Sequence, residues 1–554
     1  MGDKTWTGSL FPALSEGEVR TAHAFTRRHV LAIGFAATVT AAGGLFAFAS
    51  CTTPKTPARP FGPIELRQPP VIRSMNGTLT AELKPVWAST DIGVGRAIES
   101  YNYNGAIPGA TWVAHPGDRL KITLNNRMPS LATAGTSPAE SSHHDHGTDL
   151  TRPHVWTNTN LHTHGLHVSP SGHQDNVFIS IAPGESFDYD IHIPTDHEAG
   201  FFWYHPHRQG AVTQQVRGGM AGALIVRGDI DEVPEIAAAK EKVLVLQAIE
   251  LGSEFKEEAP IPDPSKSEAF FPRTQIFWTV NGSYKPTITM YPGEVQRWRI
   301  LNAAEGKLAS LRMAGHSLNQ IAWDGMTLSA PEPALDTLLS PGNRVDVLVK
   351  AGAAGSYDLV LSPGSSQKPF VPGMPQTIQP PGKNGTVSPE LVPRVVATVI
   401  VKGTGPELAL PSTLPAYNPK MLPVVRTRDV RYTVQRLPDH SFVSFGINGR
   451  AFNPDDPPYT MKRGTAEEWT IINGADEGFV HVFHVHVNSF KVIKINGIAL
   501  EKPLWRDTFV LGPRLGDSFT FVMNLTDFTG KFVEHCHVLA HEDLGMMESL
   551  EIVA

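Results

Sequence analysis

One β-strand pattern occurs three times along the chain, and this repeat limits the fold more than any other feature of the sequence. An Asn-Gly pair leads into a second turn and an alternating strand at near-equal intervals, starting at Asn104, Asn281 and Asn448. Asn-Gly is typical of the tight turn of a β-hairpin, and no long stretch shows helical periodicity. The sequence therefore predicts an all-β chain with three consecutive β-sandwich domains.

The repeat also predicts where the domains begin and end. Boundaries usually fall in Pro- and Gly-rich linkers, which places the first near residues 230–240. The second falls in the stretch 363–423, where we expect few core strands. The expected segments are a leader at 1–51, a Pro-rich tether at 52–69, and domains at 70–232, 233–405 and 406–554.

The leader indicates export. Arg27 and Arg28 precede an apolar run at 30–50, and together they resemble a twin-arginine export signal. A run of this length could instead stay in the membrane as an anchor. The run ends at Cys51, and the residues before it resemble a lipoprotein cleavage box except for Phe48. In each case we expect the domains in the periplasm or at the cell surface, either free or anchored through the leader or a lipidated Cys51.

Net charge and cysteine content exclude some classes of function and limit the possible disulfides. A net charge of −7 over 554 residues gives no basic surface for a nucleic-acid partner. The only cysteines are Cys51 and Cys536, so at most one disulfide of very long span is available. If Cys51 is lipidated or removed, Cys536 must be buried, free or a ligand. Histidine, with 23 residues, is in excess.

Histidine pairs at matching places in the first and third repeats predict a metal site. Side chains on a strand alternate, so both members of a His-x-His pair face the same side. A lone pair is more often a hydrogen-bonded or exposed feature, but here four pairs occur, and the middle repeat has Val360 and Ser362 instead. We expect eight imidazoles to converge between the first and third domains, from His162/His164, His205/His207, His484/His486 and His535/His537.

A second site is expected around Cys536, which on a strand points away from the two histidines that flank it. His481 falls on the opposite side from its neighbouring pair, and His541 and Met546 follow in the next turn. Two imidazoles, a thiolate and a distant thioether suit electron-transfer copper, although core packing is the commoner role of a Met. Zinc favours closed four-ligand sites or three ligands and a water, which fits this set poorly. The His-Cys-His strand would join the two sites through short covalent paths.

These motifs resemble the four copper signatures of the three-domain multicopper oxidases, with the bacterial laccases as the nearest group. The resemblance extends from residue 70 to the C-terminus and implies three cupredoxin-like Greek-key domains. Thr163 and Val482 differ from residues that are common in the family, but neither is a ligand. The segments that carry the resemblance are Leu161–Gly165, Trp203–His207, His481–His486 and His535–Met546.

The resemblance implies four copper ions and assigns every ligand. It places type 1 copper at His481, Cys536, His541 and Met546, and type 2 copper at His162 and His484. It places a type 3 pair at His164, His205, His207, His486, His535 and His537.

Two carboxylates match acidic positions that the family uses as proton relays or as partners of the ligands. They are Asp175 and Glu542, and they matter because reducing dioxygen to water consumes protons as well as electrons. The alternative for both is a solvated loop carboxylate. Another histidine cluster at 143–146, with His154, is expected to be a polar loop rather than a copper-capture site.

With this resemblance, the sequence predicts an exported laccase-like oxidase. It would oxidise phenols or similar small molecules one electron at a time and reduce dioxygen to water. A rival hypothesis makes a metal ion, Cu(I) or Mn(II), the reductant, although the 13 Met residues form no dense Met-rich segment. A non-catalytic copper-binding or division-associated protein is a second rival, but no ligand has been lost. A copper nitrite reductase would not need eight paired histidines.

Overall fold

Strands make up almost all of the regular structure, as the sequence predicts. The computed structural model describes residues 64–95, 97–130, 156–251, 275–362, 393–436, 443–475 and 479–554. Within these ranges the longest helix has seven residues, and none is long and apolar enough to cross a membrane. The expectations for the leader, Cys51, the histidines at 143–154 and most of the tether concern residues outside these ranges.

The first third of the chain folds into two facing sheets and a hairpin. Its elements are β1 (Val71–Arg73), β2 (Thr78–Leu83), β3 (Pro85–Asp91), β4 (Ala97–Tyr103), β5 (Thr111–Ala114), β6 (Arg119–Asn125), β7 (His162–His164), β8 (Ser186–His192), β9 (Gly200–His205), α1 (Val212–Gly218) and β10 (Gly222–Val226). One sheet has the order β1-β5-β10-β9-β7 and the other β2-β6-β8, while β3 pairs with β4. This order makes β7, which carries His162 and His164, a direct neighbour of β9, which ends at His205, two residues before His207.

The middle third has two larger sheets. Its elements are α2 (Asp229–Glu232), α3 (Pro234–Ala238), β11 (Lys240–Leu251), β12 (Gln275–Val280), β13 (Ser283–Tyr284), β14 (Thr287–Met290), β15 (Val295–Asn302), β16 (Ala309–Met313), β17 (Leu318–Trp323), β18 (Met326–Ala334), β19 (Asp336–Leu339), β20 (Arg344–Lys350), β21 (Gly355–Leu361) and β22 (Arg394–Val401). The sheet orders are β13-β12-β11-β15-β20-β17-β18 and β14-β22-β21-β16-β19.

Strand β22 lies within the stretch 363–423, where the sequence predicts few core strands. Val396, Ala397 and Val399 on this strand are fully buried in the core of the middle domain. The strand lies between β14 and β21 in its sheet. Its β-branched residues alternate between the core and the partly exposed face, which is the pattern of a half-buried strand.

The last third repeats the two-sheet architecture. Its elements are β23 (Val424–Arg436), β24 (Val443–Ile447), β25 (Tyr459–Lys462), β26 (Thr465–Asn473), β27 (His481–Val485), β28 (Phe490–Ile495), β29 (Ile498–Arg506), β30 (Thr508–Leu511), β31 (Ser518–Leu525), β32 (Gly530–Cys536), α4 (Leu539–Asp543) and β33 (Met547–Val553). The sheet orders are β24-β23-β26-β31-β28-β29 and β25-β33-β32-β27-β30. Here β27, which carries His484, and β32, which carries His535, are neighbours, and His486 and His537 directly follow the ends of these strands.

The repeated Asn-Gly pairs form the same tight turn in all three domains. Asn104, Asn281 and Asn448 have φ angles of 57°, 51° and 53°, and the glycine after each of them also has a positive φ. Two consecutive left-handed residues define the type I′ turn, and Asn-Gly is the sequence that adopts it at least cost. The repeat in the sequence is therefore a repeat in backbone geometry.

A buried cluster of arginines and carboxylates lies where the first and middle domains meet. The guanidinium of Arg299 donates to Glu241, Asp346 and Asp231 at 2.8–2.9 Å. Arg227, directly after β10, donates to Glu241 and Asp231 as well. Because these charges pair with one another inside the protein, the cluster fixes the linker segment around α2 against the middle domain.

Candidate metal centre

Two strand pairings bring the four histidine pairs together. On the β7–β9 ladder His162 lies opposite His205, and on the β27–β32 ladder His484 lies opposite His535. The rings from the two domains then stack across the interface, His162 on His486 and His164 on His484, each with centroids 3.8 Å apart. All eight imidazoles are buried, so the first and last domains enclose one histidine cluster between them.

Many ring nitrogens that face the inside of this cluster either lie close to one another or have no hydrogen-bond partner within the described structure. The Nε2 atoms of His207, His486 and His535 lie 3.0–3.3 Å apart. The packing of three neutral rings does not require their nitrogens to be this close. Other buried nitrogens have no hydrogen-bond partner among the described residues: Nε2 of His162, His205 and His484, Nδ1 of His164, and both nitrogens of His537. Burial without a partner is costly for a polar atom. A set of convergent metal ions would satisfy these nitrogens.

The opposite nitrogen of several rings is fixed by a partner outside the cluster. Nδ1 of His162 lies 2.9 Å from Asp175, Nδ1 of His205 lies 2.9 Å from the carbonyl of Pro206, and Nδ1 of His484 lies 2.8 Å from the carbonyl of Asp507. Such contacts orient a ligating imidazole and select its tautomer. They leave the nitrogens that face the cluster free to bind metal.

Burial keeps these rings neutral, and metal binding requires neutral rings. Burial lowers the pKa of His535 and of His207 to about 3, in the second case against the nearby Glu542 carboxylate. Burial also lowers the pKa values of His164, His205 and His484 well below the usual range. A neutral imidazole offers a lone pair, whereas a protonated one does not.

A second candidate site lies on the other side of the same strand. Sγ of Cys536 is 3.5 Å from Nδ1 of His541 and 3.7 Å from Nδ1 of His481, and it accepts a hydrogen bond from the backbone of Val482 at 3.4 Å. Burial raises the pKa of the Cys536 thiol to about 12. The thiolate therefore forms only when a cation such as a metal ion compensates its charge.

Met546 lies in the same buried core as Cys536. Its carbonyl accepts the Cys536 amide at 3.0 Å, and its amide donates to the carbonyl of His541 at 2.9 Å. The backbone thus ties the thioether-bearing residue to two members of the site. His541 is the least buried of these ligands, at 8% exposure, and its ring stacks on Phe445 with centroids 4.0 Å apart.

Both predicted carboxylates are buried at the histidine cluster, so the solvated-loop alternative is wrong for each. Asp175 contacts His162 and accepts the backbone amide of Thr163 at 2.8 Å. The carboxylate of Glu542 lies 3.0 Å from Nδ1 of His535 and 3.6 Å from Nδ1 of His207. Its oxygens have no hydrogen-bond partner among the described side chains and backbone. Burial raises the pKa of Glu542 to about 7.

The structure adds residues that the sequence pattern did not reveal. Asp507 and Thr508 contact Nε2 of His164 at 3.4 and 3.1 Å. Asp543, next to Glu542, accepts the backbone amides of Gly210 and Thr213 at 2.7 and 2.8 Å. Burial raises the pKa of Asp543 to about 7. These residues lie hundreds of positions from the groups they contact, so no local spacing signals them.

Two buried sites of this kind, joined by one strand between β-sandwich domains, define a copper oxidoreductase. Comparison with known families gives the same class. Models described as multicopper oxidase match residues 151–230, 254–381 and 418–553, which together exceed half of the chain. The chain belongs to the multicopper oxidase family. It is a three-domain, cupredoxin-fold, copper-dependent oxidoreductase that uses dioxygen and a small-molecule or metal-ion reductant.

Relatives of the chain differ in their described roles. A multicopper oxidase of known structure from Campylobacter jejuni, described as a metallo-oxidase, is 26% identical with a TM-score of 0.69, and the match covers 89% of this chain and 96% of that one. A laccase from Bacillus subtilis is 23% identical over 82% of this chain and 90% of its own length. The cell division protein FtsP of Xenorhabdus nematophila is 25% identical over 82% of this chain and 85% of its own.

Proposed function

We propose that the chain is a laccase-like oxidase that takes single electrons from phenolic or similar reductants at the Cys536 site and reduces dioxygen to water at the histidine cluster. The observation that carries this proposal is the position of Cys536 between His535 and His537. One residue of the strand belongs to one site, and both of its neighbours belong to the other.

We further propose that the chain holds four copper ions. His481, Cys536, His541 and Met546 would hold type 1 copper, and the unpaired Nε2 atoms of His162 and His484 would hold type 2 copper. The remaining six histidines would hold a type 3 pair: His164, His205, His207, His486, His535 and His537. The donor set supports this distribution, since thiolate and thioether are soft ligands and imidazole is the usual copper ligand. When bound, these ions supply one-electron transfer at the first site and binding and reduction of dioxygen at the second.

The protein's own part in the reaction begins with exclusion of water. The Cys536 site lies in an apolar core with Phe483, Phe445 and Leu544, and such surroundings keep the dielectric low around a site that exchanges one electron. The backbone amide of Val482 donates to the sulfur and fixes its orientation.

Protons are the second contribution of the chain. Glu542 faces the histidine cluster with a carboxylate oxygen 3.0 Å from Nδ1 of His535, and its raised pKa lets it hold a proton near neutral pH. Reduction of dioxygen to water needs four protons, so a buried carboxyl group beside the cluster is suited to deliver them. Asp175 is fixed by the backbone of Thr163 and by His162, which supports a role in orienting the ligand.

Aromatic surroundings of His541 favour an organic reductant. His541 is the member of the Cys536 site nearest to solvent, and Phe479, which is partly exposed, packs edge-on against its ring. A partly exposed aromatic side chain attracts a phenol better than it attracts a hydrated cation. We also propose that this chemistry takes place outside the cytoplasm, as the Arg27-Arg28 leader predicts.

Dioxygen consumption with competing reductants tests the choice of substrate. The purified, copper-loaded protein would be assayed with a methoxyphenol, with Cu(I) and with Mn(II), each with and without Phe479→Ala. We expect the phenol to give the highest kcat/KM, and Phe479→Ala to raise KM for the phenol alone. Turnover with Cu(I) far above that with the phenol, unaffected by Phe479→Ala, would instead support the metal-ion oxidase hypothesis.

A further inference from the structure

The middle domain has none of the proposed copper ligands, yet one of its turns lies directly against the histidine cluster. This turn, residues 340–344, leads into β20. A methyl group added at Gly342 would lie 3.0 Å from Cε1 of His164 and 3.1 Å from Nε2 of His537. The backbone of the middle domain therefore forms a wall of the cluster with no room for a side chain.

The turn is held rigidly in this position. Gly342 has a φ of 87°, a left-handed conformation that favours glycine, and its amide donates to the carbonyl of Asn302 at 2.9 Å. The side chain of Asn343 accepts the backbone amide of Ser340 at 3.0 Å and donates to the carbonyl of Thr508 at 2.9 Å. The second of these hydrogen bonds connects the turn to the last domain.

Arg344, where the turn passes into β20, connects all three domains. Its guanidinium donates to both oxygens of Asp507 at 2.7 and 2.8 Å, in the last domain. It also donates to the carbonyl of Phe201 at 3.0 Å, in the first domain. Arg344 and Asp507 are both buried, and two parallel hydrogen bonds between a guanidinium and a carboxylate set its orientation as well as its position.

Asp507, oriented in this way, contacts two cluster histidines. Its Oδ1 atom lies 3.4 Å from Nε2 of His164, and its carbonyl accepts Nδ1 of His484 at 2.8 Å. Thr508 donates to Asp507 at 2.9 Å and lies 3.1 Å from the same nitrogen of His164. Nε2 of His164 is thereby engaged on the outer side. Nδ1, which has no other partner within the described structure, is left facing the cluster.

We propose that the 340–344 turn is a positioning element of the histidine cluster: Gly342 packs against His164 and His537, and Arg344 acts through Asp507 to hold Nε2 of His164, so that its Nδ1 atom faces the proposed copper cluster. The inference rests on the proposed copper cluster. The middle domain, which has no proposed copper ligands of its own, would then help to assemble that cluster as well as linking the other two domains. Arg344 and Asp507 act through His164 and touch no reacting atom.

Gly342→Ala tests the packing contact, and the chain offers a matched control. Gly315, in the same domain, has a φ of 72°, but a methyl group there would meet nothing within 4 Å. Both substitutions impose the same kind of backbone strain, so a difference between them reports the contact with the histidines. Copper per chain, the thiolate-to-copper absorption, the electron paramagnetic resonance of the remaining copper and the Tm of the copper-free protein would be measured.

We expect Gly342→Ala to lose copper from the cluster, with about 10-fold lower dioxygen turnover, while the thiolate absorption and the KM for the reductant stay at wild-type values. Gly315→Ala should match wild type in all of these. Arg344→Lys, which keeps the charge but not the two parallel hydrogen bonds, should show a smaller loss of the same kind than Arg344→Gln.

Three results would overturn the proposal. They are unchanged cluster copper in Gly342→Ala, parallel loss of copper from both sites, or equal effects of Gly342→Ala and Gly315→Ala. The distribution of copper between the two sites tests the positioning proposal even if the wild-type protein consumes no dioxygen. Such a wild-type result would refute the proposed function and leave the positioning of the histidines to be judged separately.

Discussion

Nδ1 of His535 lies 3.0 Å from a carboxylate oxygen of Glu542, and both side chains are buried completely. His535 is the residue before Cys536, so this carboxyl group adjoins the link between the two proposed copper sites. Burial raises the pKa of Glu542 to about 7, while the nearby His207 and His162 act in the opposite direction. The group can therefore exchange a proton near neutral pH where the proposed reaction consumes one.

Glu542→Gln should slow dioxygen reduction without slowing electron entry. The amide keeps the size of the side chain but cannot release a proton, and loss of a general acid typically costs about 100-fold or more in rate. We expect dioxygen uptake to fall by this factor, while anaerobic bleaching of the thiolate-to-copper absorption by a phenol keeps its wild-type rate.

Glu534→Gln is the matched control for this variant. Glu534 is equally buried, and burial raises its pKa, but its carboxylate accepts a hydrogen bond from Tyr432 at 2.9 Å, on the side of the strand that faces the Cys536 site. Dioxygen reduction by the fully reduced Glu534→Gln protein should therefore keep its wild-type rate. Equal losses in both variants would mean that Glu542 has no specific role in proton delivery.

The contact between His167 and Asp527 should stabilise the protein in a limited pH range. Burial lowers the pKa of His167, but hydrogen bonds to Asp527 and to the carbonyl of Val487 outweigh it and raise the pKa overall. The same hydrogen bond from His167 lowers the pKa of Asp527. The histidine's contribution is lost as pH rises through its raised pKa, and the carboxylate's contribution is lost as pH falls through its lowered one.

Asp527→Asn should therefore reduce stability most near pH 5, between the unfolded pKa values of about 3.9 for Asp and about 6.5 for His. Because Asp527 is more than half exposed, we expect only about 0.5 kcal/mol. Denaturant midpoints at several pH values would measure it, and the difference should vanish at alkaline pH. A loss that is constant from acid to alkaline pH would contradict the ion pair as its source.

Arg299→Met should destabilise the middle domain strongly. The substitution leaves Asp346, a buried carboxylate, without one of its guanidinium partners. Breaking a buried ion pair from one side typically costs about 3–5 kcal/mol. Arg312→Met, on the exposed side of β16 in the same domain, should change stability by no more than about 0.5 kcal/mol. Urea unfolding of both variants makes the comparison, and equal midpoints would show that the arginine cluster is not structural.

The sequence predicts those parts of the fold that depend on local geometry. Asn104 and its two counterparts signal their turns because Asn-Gly tolerates left-handed backbone, and each His-x-His pair signals a shared face because strand side chains alternate. The contact between Arg344 and Asp507 joins residues 163 positions apart, and either residue alone resembles ordinary surface charge. Such contacts follow from how the domains pack, and no spacing in one sequence contains that information.

Strand β22 and the buried carboxylates also show that contacts between distant segments cannot be derived from a single sequence. Strand β22 of the middle domain lies in a Pro- and Gly-rich part of the sequence, and its pairing with β14 and β21 identifies Val396 and Val399 as core residues. Asp175 is predicted by resemblance, but its contact with His162 depends on a turn that brings back a residue 13 positions away. The resemblance thus predicts the ligands and Asp175, whereas Asp507 and Thr508, which contact His164, carry no signal in the sequence.

Anaerobic titration with a phenolic reductant, of copper-loaded wild type beside Cys536→Ser, tests the central claim most directly. The claim is that electrons enter at the thiolate site and pass through Cys536 to the histidine cluster. We expect the wild type to be blue, to take up four electrons per chain and to consume dioxygen when air is admitted. Cys536→Ser should be colourless, keep its cluster copper and accept almost no electrons from the phenol. A variant that still reduces its cluster at the wild-type rate, or a colourless wild type at full copper loading, would contradict the account.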